Sequence, residues 1–310
     1  MKLEGIHHVT CITGDVRANV DFYTRVLGLR LVAKSVNQDD PYVYHLFFSD
    51  EEGHPGSDLT FFDYSQAAPG RAGAGMVYRV EWRLASADAV AFWEKRLKAE
   101  SVATTRDGNR LRFSDPEGLE HELLVSTAAD EPRIAEHPEI PRELALQGFD
   151  GVRAYGSPDR SRPVLEKILN ASAVDAHTFE LRGKQRGGTI AYDMPPAERG
   201  IPGAGTVHHV AWGTTIAEHP EWQGHLEASG VHTSGIVNRH YFHSIYFREP
   251  NGILFEIADD GPGFTVDGPV EDLGTRVILP PWYESRRMEI ESRLVPIPDP
   301  RAGWKKTAKS

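Results

Sequence analysis

Cysteine is nearly absent from this chain: Cys11 is the only one in 310 residues. A single thiol excludes an intramolecular disulfide and any zinc site built on several thiolates. Long apolar runs are missing as well, and the opening Met-Lys-Leu-Glu-Gly-Ile-His-His carries no apolar leader. The expectation is a cytoplasmic protein with no membrane partner. Positive charge is in deficit, since 34 Lys and Arg stand against 45 Asp and Glu, for a net charge of −11. That balance argues against nucleic acid or an anionic membrane surface as a partner. What is present is ordinary for a globular protein, with 40% hydrophobic and 25% charged residues. The length allows about two domains with ample core, and the composition leaves homo-oligomerisation open.

The most telling stretch runs from Gly203 to Ala258. It opens with Gly-Thr-Val-His-His-Val-Ala-Trp and closes as a strand, a Pro-Asn-Gly turn and a second strand. Glu256 lies in that last strand among Ile253, Leu254, Phe255 and Ile257. A carboxylate in an apolar strand is costly to bury unless something positive meets it. His209 sits between His208 and Val210 in a strand of the same kind. A metal ion would satisfy both residues. The ordinary alternative is a surface glutamate and a hydrogen-bonded core histidine.

A second copy of the pattern at the start of the chain favours the metal. A strand over Leu3–Ile12 contains His7 and His8, and a helical pattern from Asp15 ends at Gly28. Strands are expected at Arg30–Val36, Val43–Phe48 and Asp58–Phe62. The unit recurs from Gly75, with a helix over Ala87–Ala99. It recurs again from Leu146, with a helix over Pro163–Leu169, and a fourth time from Thr206. Two modules therefore occupy residues 1–130, a charged linker spans 131–145, and two more modules occupy 146–260. Residues 261–310 read as a wrapped tail with one short helix at Glu284–Leu294.

Four strand–helix–three-strand modules, opened by Gly-x-His-His-Val and closed by Asp/Glu-Pro-x-Gly-x-x-x-Glu, resemble the vicinal oxygen chelate superfamily. That superfamily contains glyoxalase I, extradiol ring-cleaving dioxygenases and antibiotic-resistance proteins. The resemblance covers roughly residues 3–260. It implies an α+β fold in which the four βαβββ modules form two cupped, incomplete β-barrels.

Aligning the copies provides a test inside this one sequence. His8 corresponds to Arg79, Gly151 and His209. The closing position is Thr60, then Glu122, then a residue near Tyr192, then Glu256. The outer modules together supply His8, His209 and Glu256; the inner ones supply no histidine, and Arg79 facing Glu122 reads as a structural ion pair. One metal site is expected, where the outer modules meet. Two histidines and one carboxylate suit Fe(II), with Mn(II) second. Glyoxalase I usually brings a fourth ligand where Thr60 stands, so this departure favours a dioxygenase.

The branch this chain most resembles cleaves hydroquinones with O₂. In it the positions matching His7, Thr10, His208, Arg239 and Tyr246 surround an aromatic diol, hydroquinone-type or catechol-type. Cys11 points away from the His8 face. Two other function classes stay open: a metal-dependent lyase or isomerase of glyoxalase type, and a non-catalytic small-molecule-binding protein.

Overall fold

The computed structural model describes residues 1–304. The four expected modules are present. The first consists of β1 (Ile6–Thr13), α1 (Val16–Asp21), β2 (Arg30–Val36), β3 (Tyr44–Ser49) and β4 (Asp58–Asp63). The second consists of β5 (Met76–Leu84), α2 (Ala87–Ala99), β6 (Thr105–Asp107), β7 (Arg110–Ser114) and β8 (Glu120–Val125). The third consists of β9 (Phe149–Tyr155), α3 (Pro158–Lys167), β10 (Ser172–Ala173), β11 (Thr178–Arg182) and β12 (Gly187–Asp193). The fourth consists of β13 (Thr206–Gly213), α4 (His219–Ala228), β14 (Thr233–Asn238), β15 (His243–Arg248) and β16 (Leu254–Ala258).

Within each module the first and last strands pair in parallel, as a helical crossover requires. Modules then join through antiparallel pairing of their first strands: β1 with β13, and β5 with β9. The result is two open eight-stranded sheets, one from the outer modules and one from the inner. The outer sheet runs β14-β15-β16-β13-β1-β4-β3-β2, so β1 and β13 lie at its centre. Alternation sends Val9 and Cys11 into the hydrophobic core, while His8 and Thr10 take the opposite face. Trp82, Trp93, Trp212 and Trp222 are fully buried and fill much of the interior.

The helices form for legible reasons. Asp15 caps α1 by accepting from the backbone N–H groups of Arg17 and Ala18. The helix then widens into a π turn over Phe22–Val26, and Gly28 ends the run at φ +72°. Ser86 caps α2, which buries Ala89, Val90, Trp93 and Leu97 on one face. In the third module the helix begins at Pro158 and not at Pro163. Proline is at home in the first turn, and Pro163 forfeits only the bond to the carbonyl of exposed Asp159.

The tail lies along edge strand β2. Ile278 N–H donates to the Lys34 carbonyl at 2.8 Å, and Arg30 donates to the Val270 carbonyl. Covering an edge strand removes a row of unpaired backbone groups. The helical piece expected in the tail is a 3₁₀ turn at Pro281–Arg286 followed by α5 (Arg287–Glu291). Tyr283 reaches from there to the Gln38 carbonyl at 2.8 Å, tying the loop between β2 and β3 to the tail. No helix among the described residues is long and apolar enough to cross a membrane.

Candidate metal centre

His8 on β1, His209 on β13 and Glu256 on β16 come from three neighbouring strands and converge on one point. His8 Nε2 lies 3.3 Å from His209 Nε2 and 3.3 Å from Glu256 Oε2, and His209 Nε2 lies 2.9 Å from Oε2. All three are buried. Neither oxygen of Glu256 has a hydrogen-bond partner among the described residues, although both imidazoles crowd Oε2. An anion held this way, fully desolvated and unbonded, is expensive unless a cation completes it. Donors each about 2.1 Å from a single ion stand about 3 Å apart when adjacent, and the triangle has that size.

Protonation supports the same reading. Burial alone would raise the Glu256 pKa, but His8 and His209 outweigh it and hold the carboxyl well below its ordinary range. Burial pushes His209 down, towards the neutral imidazole that a metal needs. Behind His8, the ring of His7 settles the tautomer. His7 Nε2 lies 3.0 Å from the Asp259 carbonyl oxygen, which can only accept, so Nε2 carries the proton. Burial, then His8, push His7 down to about 3, so it holds no second proton at neutral pH. His7 Nδ1 is therefore a bare acceptor, and His8 Nδ1, 2.9 Å away, donates to it. The neutral His8 ring in this tautomer turns the lone pair of Nε2 towards the centre. The contact is repeated on the other strand, where His208 Nδ1 and His209 Nδ1 are 2.8 Å apart.

Simple alternation would send His7 and His208 to the far face of the sheet. Register shifts in the β1–β13 ladder, between Ile6 and His8 and between Thr10 and Cys11, break it. Bulges of this kind re-aim side chains.

A cavity of about 300 Å³ opens beside the triad. His8, His209, His208, Arg239 and Tyr246 line it, with His45, Phe47, Phe62 and Phe242 as largely aromatic walls. His7 and Thr10 are not among the lining residues: His7 stands behind His8, and Thr10 Oγ1 is bonded to Thr60 Oγ1 at 2.8 Å. Arg239 Nε donates to the Tyr246 hydroxyl at 3.1 Å, and its Nη1 meets Asp39 at 3.3 Å. Burial, then Glu256, raise the Tyr246 pKa, so the phenol keeps its proton. Burial, then His209, lower His208 to about 4, leaving it neutral. His240 and His243 are tied to Asp267 and Asp259 and stay outside the cavity lining.

The corresponding face of the inner sheet holds charges in place of ligands. Glu122 takes Arg79 at 3.0 Å and Arg110 at 2.7 Å, with Arg112 at 3.4 Å. The expected Arg79–Glu122 pair is thus part of a wider cluster. The position near Tyr192 is Ala191, opposite Arg153. The cavity walls escaped the sequence reading as site residues, His45, Phe47, Phe62 and Phe242 among them. His45 is the one polar side chain in Tyr-His-Leu-Phe-Phe, the same signal that singled out Glu256.

The fold class follows first from solved structures. Glyoxalase I from Zea mays superposes with a TM-score of 0.55 over 82% of this chain and 92% of its own, at 16% identity, a likeness of fold alone. The Glyoxalase/Bleomycin resistance protein/Dioxygenase superfamily profile matches residues 5–123 and 85–257. A crystal structure from Bacillus subtilis, provisionally titled a dioxygenase, has a TM-score of 0.89 at 39% identity, covering 96% of this chain and 98% of that one. MhqA of Bacillus subtilis, provisionally named a ring-cleaving dioxygenase, is 39% identical over 96% of this chain and all of its own. The chlorohydroquinone/hydroquinone 1,2-dioxygenase of Sphingobium indicum is 31% identical over 93% of this chain and 95% of its own. The chain belongs to this superfamily, in the branch of the ring-cleaving dioxygenases.

Proposed function

We propose that this protein is an Fe(II)-dependent dioxygenase that opens the ring of a hydroquinone-type diol with O₂. His8, His209 and Glu256 would hold the metal, with Mn(II) the second candidate. The observation that carries the reading is the buried, unbonded Glu256 between two imidazoles, beside a cavity with aromatic walls. A two-histidine, one-carboxylate set with open positions suits non-haem Fe(II). Fe(II) in such a site supplies Lewis acidity towards a ring hydroxyl and a redox path to O₂. Thr60 does not fill a fourth position, because its hydroxyl is bonded to Thr10 and His45. A glyoxalase-type lyase would want that ligand, and a pure binding protein would not need the triad.

The remaining chemistry falls to side chains. Neutral His208, on the cavity wall, is able to accept the proton of a ring hydroxyl. Arg239 donates to the Tyr246 oxygen, which leaves the phenolic O–H free to serve a substrate oxygen as donor. The guanidinium beside it stabilises negative charge developing on that oxygen. Phe47, Phe62 and Phe242 exclude water and pack the ring. A catechol binds a metal through two adjacent oxygens; a hydroquinone offers one, so the walls must orient it, and these polar groups suit that task.

The test is O₂ uptake by anaerobically Fe(II)-loaded protein on a panel of hydroquinones and catechols. Hydroquinones should be the faster group. Tyr246→Phe and Arg239→Ala should keep their iron and lose about 10²-fold or more in turnover. Faster turnover of a catechol would overturn the substrate class, and no O₂ uptake with any diol would overturn the dioxygenase reading.

A further inference from the structure

Strand β3 carries a histidine that neither the triad nor the Arg239–Tyr246 pair uses. The His45 ring packs between Phe47 and Phe62, at centroid distances of 4.0 and 4.5 Å. Its Nε2 is 2.9 Å from Thr60 Oγ1, which is 2.8 Å from Thr10 Oγ1. Aromatic packing and this hydroxyl pair fix the ring plane. Its Nδ1 has no partner among the described residues, and the residue lines the cavity. Burial, then His8, His209 and Arg239, push its pKa well below the ordinary value, so the ring is neutral. A neutral imidazole has one donor and one acceptor. Hydroxyls at Thr60 and Thr10 turn to suit either tautomer, so Nδ1 can accept from a phenol or donate to a phenolate.

The position matters as much as the chemistry. In the outer sheet the triad occupies β16, β13 and β1; Tyr246 on β15 flanks it on one side, and β3 flanks it on the other, beyond β4. A ring with one oxygen at the triad lies between those two flanks. Arg239 is already engaged on Tyr246 and Asp39. His208, the other cavity imidazole outside the triad, lies on triad strand β13 with its Nδ1 engaged on His209, whereas His45 lies two strands beyond β1, placed to meet an oxygen that does not reach the metal.

We propose that His45 Nδ1 is the hydrogen-bonding partner of the substrate's second, metal-remote oxygen, with Thr60 and Thr10 holding its ring in register. His45 is then the residue that selects para-diols over phenols lacking the second hydroxyl. This rests on the hydroquinone reading above and adds a residue to it.

The experiment is anaerobic calorimetric binding of hydroquinone and of 4-methylphenol, which replaces the far oxygen by a methyl group, to the Fe(II)-loaded protein. In the wild type hydroquinone should bind more tightly. His45→Phe keeps the aromatic packing and removes both nitrogens; it should weaken hydroquinone about tenfold and leave 4-methylphenol unchanged. Thr60→Val, which frees the imidazole without removing it, should give a smaller loss confined to hydroquinone, and serves if His45→Phe fails to fold. Equal weakening of both ligands would mean a packing role, and no weakening would mean no contact; either overturns the proposal. Wild-type O₂ uptake scores the dioxygenase reading separately, and a wild type that does not bind hydroquinone overturns both.

Discussion

Replacing His7 by phenylalanine tests the protonation logic of the metal centre without touching a ligand. Phenylalanine keeps the ring that packs against Phe242, whose centroid lies 5.0 Å away. It removes the acceptor for His8 Nδ1 and the donor to the Asp259 carbonyl. His8 is then left with a buried unsatisfied donor, or turns to the other tautomer and presents a proton to the metal. An unsatisfied buried donor costs about 1–3 kcal/mol. Loss of the outer partner of a ligating histidine typically costs about 10–100-fold in metal affinity, which is the same range. His7→Asn should do better, because its side-chain carbonyl can accept where Nδ1 did; binding within about tenfold of wild type is expected. The assay is Fe(II) competition against a chromophoric chelator under anaerobic conditions, with circular dichroism as the check on folding. A well-folded His7→Phe that binds metal as tightly as wild type would refute the tautomer argument.

Two further contrasts follow from the same structure. Glu256→Gln should lower metal affinity by roughly hundredfold or more, since it removes the only charge among the ligands. Glu122→Gln, at the matching place in the inner sheet, should cost about 1–3 kcal/mol of stability by loosening three arginines and leave metal content unchanged; iron lost from that variant would mean that the inner sheet also holds metal. Asp58 pairs in register with His8, and neither of its oxygens has a partner. Burial, then Asp50, push its pKa well above the ordinary range, so the folded chain keeps a proton that the unfolded chain releases above about pH 4. Stability from this group is present below that pH and lost as pH rises towards the folded pKa. Asp58→Asn should therefore raise the urea midpoint at pH 7 more than at pH 4, and an equal change at both would contradict the assignment.

Much of this architecture was legible because the module repeats four times, so a polar residue in one apolar strand could be compared with its counterparts. His8, His209 and Glu256 stood out as the set that Arg79, Gly151 and Glu122 failed to reproduce. The paired-module topology follows from the same comparison. What was not legible depends on departures from regular geometry. The π turn at Phe22–Val26 has the same apolar spacing as an ordinary helix. The start of α3 turned on whether a proline opens a helix or is tolerated inside one. His7 and His208 obey alternation in the sequence and break it in space, through register shifts that no residue type announces. His45 was missed because its strand was read only as a strand; its role depends on Thr60 and Phe62 on the neighbouring strand.

The pairing of β1 with β13 also governs the order in which the protein can be made. His8 and His209 are 201 residues apart in the chain. On the ribosome, the inner sheet can close as soon as its own contiguous modules, from β5 to β12, have emerged. The first module must wait longer, until β13 has emerged, with one side of β1 unpaired, an exposed edge of the kind that recruits other chains. Closing so long a loop adds little cost in chain entropy, since that cost grows only with the logarithm of length. The burden is kinetic, because non-local strand pairing is slow. The His8, His209 and Glu256 cluster is consequently completed late in synthesis: a chain released before Glu256 would have the residues of the inner sheet and no such cluster.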